Sequence, residues 1–248
     1  SAFYAFNAFL IDQSRAASTP HFIPFFSALT IFSAMQIIQK KSKLIIWPVV
    51  IGASLGTLFQ LHYLSGFFLP LIVFLMVFKK EFKILILTIA SFLILISPQI
   101  IFELRHNFFV TNLFIRQLKY GNTISDIHNF INRLTGSFQV VGSIFKINVV
   151  SLLVFLLILF IFLKKFKNLK KLKFIWFFLL ITAILNLILL MLYGGSIETH
   201  YFSPTYVSLI ILMASILVFV YENSKNYFLK ALIVFLTLQI FLTNIFNL

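Results

Sequence analysis

The sequence contains no cysteine, so disulfide bridges and thiolate chemistry are excluded and the redox state of its surroundings leaves no mark on it. Charge is almost as scarce. Asp, Glu, Lys and Arg make up 10% of the 248 residues, against 61% hydrophobic ones. A soluble domain of this size carries about 25% charged and about 45–50% apolar residues. What remains here cannot cover a water-facing surface, as the mean hydropathy of +1.05 also indicates. The solvent that fits is lipid. Motifs that local spacing can reveal are missing as well: there is no HExxH, no Walker loop and no GxGxxG. His, Asp and Glu lie too far apart along the chain to argue a metal site from spacing.

The net charge of +14 does not point to nucleic acid, because no basic face can be traced along a single element. The lysines instead come in short clusters between apolar runs: Lys40-Lys41-Ser42-Lys43, Lys79-Lys80-Glu81-Phe82-Lys83, the run 164–173, then Lys225 and Lys230. Positive residues in short loops mark the cytoplasmic side of a membrane. If every cluster lies inside, each interval between clusters crosses an even number of times. Residues 44–78 contain no Asp, Glu, Lys or Arg and are long enough for two spans of about 17 residues. Their midpoint falls at Gln60, His62, Tyr63, Ser65 and Gly66. Residues 174–224 form a second hairpin about Glu198, Thr199 and His200, and 84–101 and 148–163 flank a long outer segment. One span at 23–39 precedes the first cluster, and an apolar run at 227–246 closes the chain.

The expected fold is therefore all-α: a polytopic transmembrane helix bundle with eight full spans plus one truncated. Residues 1–248 form one transmembrane domain, with an outer loop at 102–147. Within that loop, Ile124, Ile127, Ile131, Leu134, Phe138 and Val141 recur at three- and four-residue steps, which predicts an outer interfacial helix over 122–141 with Ser125 as N-cap. Residues 1–11 already read as membrane-embedded, without the basic flank or cleavage site of a signal peptide. The expectation is that the chain starts inside a helix and lacks an N-terminal part.

Residue types sort by side. Fourteen of sixteen lysines fall inside, whereas all four arginines and all five histidines fall outside. Anchoring at headgroups would serve on either face, so this exclusive placement asks for another reason. Ionisable residues at such depths mark a functional site by default. The outer candidates are Arg15, His62 with Tyr63, Glu103 with Arg105 and His106, and Glu198 with His200 and Tyr201. Arg105 and His106 are the sharpest pair: a guanidinium forks onto phosphate oxygens, and a neighbouring imidazole adds a donor. Pro98 is expected to end or kink the span before them. The plain alternatives are headgroup anchoring for Arg15, loop-carbonyl partners for His62, ordinary loop roles for Glu198 and His200, and a Glu103–Arg105 ion pair capping a helix.

The order Ser97-Pro98, Phe102-Glu103-Leu104-Arg105-His106-Asn107-Phe108, a long outer segment, then His200-Tyr201 before Pro204 resembles polyprenyl-phosphate-sugar-dependent glycosyltransferases of the GT-C fold. These are the bacterial relatives of the protein mannosyltransferases and the lipid A aminoarabinose transferases. The stretch from Gly52 through Gly56 to Tyr63 is similar to their Gly-rich hairpin, and Ser14-Arg15 followed by Pro24-Phe25-Phe26 also fits. The resemblance implies inverting transfer of a sugar at the outer face of a bacterial or archaeal plasma membrane. The donor is a polyprenyl-phosphate-linked sugar, and the acceptor a glycan, lipid or protein. It implies donor-phosphate contacts from Arg105, His106 and Arg15, and a substrate cleft with His62, Tyr63, Glu103, Glu198, His200 and Tyr201. It leaves room for a divalent metal but requires no cofactor. The family's catalytic base is an acidic residue in the first outer loop, which would precede Ser1; Asp12 lies too late in the pattern. An O-antigen polymerase or ligase would carry more arginines between 107 and 147 than Arg116 and Arg133. A transporter would carry polar residues at mid-membrane on broken helices.

Overall fold

The computed structural model describes residues 22–39, 45–62, 81–120, 170–192 and 199–245, together with positions 131, 135, 136 and 158. Among these residues the elements are seven α-helices and one short 3-10 helix, with no strand. They are α1 (Ile23–Gln39), α2 (Ile46–Leu61), α3 (Phe82–Arg105), α4 (Phe109–Tyr120), α5 (Lys170–Leu192), α6 (Ser203–Asn223) and α7 (Tyr227–Ile245). The 3-10 helix Thr199–Phe202 leads into α6. Two helices, α3 and α6, are long and apolar enough to cross a membrane by length and composition. With 24 residues at about 1.5 Å each, α3 is about 36 Å long, more than a hydrocarbon core of about 30 Å. The apolar stretches described in the other helices are shorter: Ile23–Gln39, Ile46–Leu61, Phe174–Ile188 and Tyr227–Thr243. The truncated first span, the second arm of the 44–78 hairpin, the 148–163 span (Ile158 apart) and nearly all of the 122–141 helix lie outside the described residues.

Proline placement explains several helix starts. Pro24, Pro48 and Pro204 stand in the first turns of α1, α2 and α6, where a missing N–H costs nothing because it would have no intrahelical partner. Pro98 behaves differently from expectation. The helix does not end near residue 101 but runs through Pro98 to Arg105. Pro98 cannot donate to the carbonyl of Ile94, and the Ser97 hydroxyl donates to that oxygen instead, at 2.8 Å. Phe102 to Arg105, expected in the outer loop, are thus the last turn of α3.

The described helices form one packed series. α3 lies on α2, α2 on α1, α1 on α6 and α6 on α5, with α7 also against α6. The core gathers where these meet: Ile31, Leu55 and Leu58 from the first pair, Phe178 and Leu179 from α5, and Tyr206 and Val207 from α6. Several hydroxyls within the bundle bond to their own helix. Thr30 donates to Phe26 O at 2.8 Å, Thr182 to Phe178 O at 2.7 Å and Ser208 to Pro204 O at 2.8 Å, so these three hydroxyls keep a partner in an apolar interior, whereas Ser27 and Ser33 Oγ are buried without one among the described residues.

Register between neighbours fixes helix directions. Pro48 O accepts from Thr88 Oγ1 at 3.2 Å, Gly52 faces Thr88 and Ser91, and Gly56 faces Leu95, so α2 and α3 run parallel. Trp176 Nε1 donates to Ser215 Oγ at 2.9 Å, whereas Asn186 Nδ2 donates to Thr205 Oγ1 at 2.6 Å, so α5 and α6 run antiparallel. His62 and Tyr201 rings lie 4.4 Å apart, which places the end of α2 beside the start of α6. One end of the bundle therefore carries the C-termini of α2, α3 and α5 and the 3-10 helix. Lys83, the lysines of 170–173, Lys225 and Lys230 fall toward the opposite end.

Candidate functional site

At the His62 end, α3 outruns α2 by about one turn and then breaks into a corner. The amide of Phe108 donates back to Glu103 O at 2.8 Å, and that of His106 to Phe102 O at 3.0 Å, closing the last turn. Asn107 (φ 52°) and Phe108 (φ 57°) both take left-handed backbone. Asparagine tolerates that region, as at many helix C-termini. An aromatic residue there is strained, at about 1–2 kcal/mol. The chain re-emerges as α4.

Glu103 ties the corner together. It is buried, and its Oε1 accepts from Val110 N at 3.0 Å. Its Oε2 accepts from Thr111 N at 3.0 Å and from Thr111 Oγ1 at 2.6 Å. The first-turn amides of a helix have no intrahelical acceptor, and here a carboxylate on the preceding helix supplies one, favoured further by the helix dipole. Asn112 Nδ2 adds a bond to Asn107 O at 3.1 Å.

The α2, α3 and α4 segments line an open-mouthed cavity of about 450 Å³. Phe59, Ile96, Ile100, Leu104 and Phe108 make it apolar, with Gln99, Glu103 and Thr111 as its polar members. Small-molecule sites have this size and this mixture of apolar wall with few polar groups.

The expected site residues distribute as follows. Glu103 lines the cavity. Arg105 is exposed at the last position of α3, one residue from Leu104, and is not part of the lining. His106 is exposed; its Nδ1 lies 2.8 Å from Phe102 O and its ring stacks on Phe102 at 4.1 Å. With Nδ1–H bonded to that carbonyl, Nε2 is the acceptor of the neutral ring. His62 ends α2 with extended backbone, half-buried against Tyr201. His200 belongs to the 3-10 helix. Arg15, Tyr63 and Glu198 lie outside the described residues. Arg105, His106, His62 and the 3-10 helix that carries His200 thus share one end of the bundle; Arg105, His106 and His62 are not among the residues that line this cavity.

Sequence reasoning passed over Phe59, Gln99, Phe108 and Thr111 as lining residues, and α4 as a helix. Its signal was present: Phe109 and Leu113 stand one turn apart, as do Asn112 and Arg116, the amphipathic spacing sought further along the loop. Nothing in the sequence marks Thr111 as the partner of Glu103, because that pairing depends on the corner. Among the described residues no three His, Asp or Glu side chains gather where a metal ion could be held. No family model matches the chain, and neither does any curated protein or solved structure.

Proposed function

We propose that the chain is a polytopic integral membrane glycosyltransferase, which moves a sugar from a polyprenyl-phosphate donor to an acceptor at the non-cytoplasmic face. The observation that carries this reading is the segregation of side chains along the bundle. Arg105, His106, His62 and His200 stand at one end, beside an apolar cavity of about 450 Å³, and the described lysines of α3, α5 and α7 stand at the other. A lipid-linked sugar phosphate needs both kinds of surface at once: hydrocarbon for the chain, and cationic donors for the phosphate at the membrane boundary.

The exposed faces support a lipid surround. α3 buries Thr88, Ser91, Ile96 and Glu103 and exposes Ile86, Ile89, Leu93 and Ile94. α7 exposes Val234, Phe235, Leu238 and Leu242. In water that distribution would be inverted.

Departure of the polyprenyl phosphate leaves charge on phosphate oxygens, which preplaced cationic donors stabilise. In this reading Arg105 supplies the bidentate fork and His106 a further donor when protonated. Glu103, with its carboxylate committed to α4, takes no part in proton transfer.

The test is donor turnover by the complete protein in membranes. Arg105→Ala should lose on the order of 2–4 kcal/mol of transition-state stabilisation, the size expected for a preorganised donor. Arg105→Lys keeps the charge without the fork and should fall between. Membrane insertion should be unchanged in both, because the side chain is exposed. Full turnover by Arg105→Ala would remove the phosphate role.

A further inference from the structure

The helix after the corner is held in an unusual way. Of the α4 residues whose burial is described (109–113, 115 and 116), all are exposed except half-buried Val110. The bonds that fix the helix at the corner are those to the Glu103 carboxylate, with Asn112 on Asn107 O beside them. The same first turn supplies Val110 and Thr111 to the cavity wall, and Phe108 adds its ring. The first turn of α4 is therefore one wall of the cavity.

We propose that α4 is a hinged lid over the α2–α3 cavity, with Asn107 and Phe108 as the hinge and Glu103 as its latch. The latched state is the one described. In the released state the Glu103 carboxylate lets go of Val110 and Thr111, and the wall formed by Phe59, Ile96 and Gln99 opens at the end of the bundle. Two features make the latch reversible. The carboxylate bonds only groups that water can also satisfy once α4 swings away. Release also lets Phe108 leave its left-handed conformation, so strain in the hinge offsets part of the cost of opening. Two discrete states with a small free-energy gap are what a binding site behind a lid requires. The device stands on the geometry of the corner and not on the sugar-transfer reading, and its test needs no substrate.

The absence of cysteine makes the experiment direct. Ile96→Cys places a single thiol in the cavity wall, at a position 8% exposed in the latched state. Its modification by N-ethylmaleimide is followed with the complete chain in lipid nanodiscs. Adding Glu103→Ala removes all three latch bonds and should raise the rate on the order of tenfold, as for a local opening that has become cheap. Adding Thr111→Val removes the hydroxyl bond alone and should raise it by a smaller factor. Ile31→Cys, fully buried in the core away from the corner, is the reference and should stay slow in every background. Equal rates at Ile96→Cys with and without Glu103 would overturn the lid. So would parallel acceleration at Ile31→Cys, which would make Glu103 a support of the whole bundle.

Discussion

The two helices long enough to cross a membrane, α3 and α6, are alike in composition and opposite in surroundings. Of the apolar stretch of α6, 56% is buried, against 17% for α3. α6 packs on α1, α5 and α7, and its Tyr206, Val207, Ile210 and Leu217 join the core. α3 touches mainly α2, and does so through small and polar residues. Gly52 and Gly56, spaced as GxxxG on α2, sit so close to α3 that a Cβ on Gly56 would come within 2.6 Å of Leu95 Cβ, and one on Gly52 would strike Ser91 and the Thr88 carbonyl. Helices associate this way where the medium is as apolar as the side chains, so that close backbone approach replaces hydrophobic burial. The contrast teaches that hydropathy locates a span but does not say which of its faces meets protein.

The comparison breaks first at Leu93, the midpoint of α3 and 47% exposed. In water Leu93→Lys would be neutral or solubilising. Against lipid it should cost about 3 kcal/mol of apparent insertion free energy, read as the fraction of α3 inserted in a microsomal assay. Normal insertion would mean that α3 does not face hydrocarbon.

Next comes the contact itself. Gly52→Leu forces a side chain into the backbone of α3 and should cost about 2–3 kcal/mol, within the usual range for overpacking. Unfolding titrations in mixed micelles would measure it, with Leu217→Ala on α6 as a cavity-forming counterpart of about 2–3 kcal/mol. If Gly52→Leu were silent, α2 and α3 would not be held by this face.

The smallest effect belongs to Ser97. Without its hydroxyl, Ile94 O loses the donor that substitutes for the missing amide of Pro98. Ser97→Ala should cost about 0.5–1.5 kcal/mol in the same titration, the net worth of one hydrogen bond. It should leave Gly52-mediated packing unaffected, since Ser97 lies beyond that contact.

Legibility in the sequence varied with the range of the interaction. Lysine clusters and the length of the apolar runs between them placed α1, α2 and α7 to within a few residues, because these helices stop where polar residues begin. Pro98 misled, since its effect depends on whether a neighbour can serve the freed carbonyl, and Ser97 read only as part of a motif. The sorting of Lys against Arg and His was read from the sequence, and among the described residues the helix directions put Lys83, Lys170, Lys171, Lys173, Lys225 and Lys230 at the end opposite Arg105, His106 and His62, with Lys119 on α4 as the exception. Of the outer candidates, Glu103 lines the cavity between α2, α3 and α4, and Arg105 and His62 stand outside its wall. α3 outruns α2, so Arg105 clears the cavity that Glu103 lines.

By itself the sequence determined that the chain is helical, that its long apolar runs suit a membrane, and that its cations are segregated. Each of these follows from composition or from spacing within one helix. Only the tertiary structure decided that Glu103 caps α4, that a pair of glycines joins α2 to α3, and that the cavity lies under the corner at Phe108. Those facts depend on which residues meet across a turn or a helix crossing. The meeting is set by backbone direction and close approach, which hydropathy does not encode.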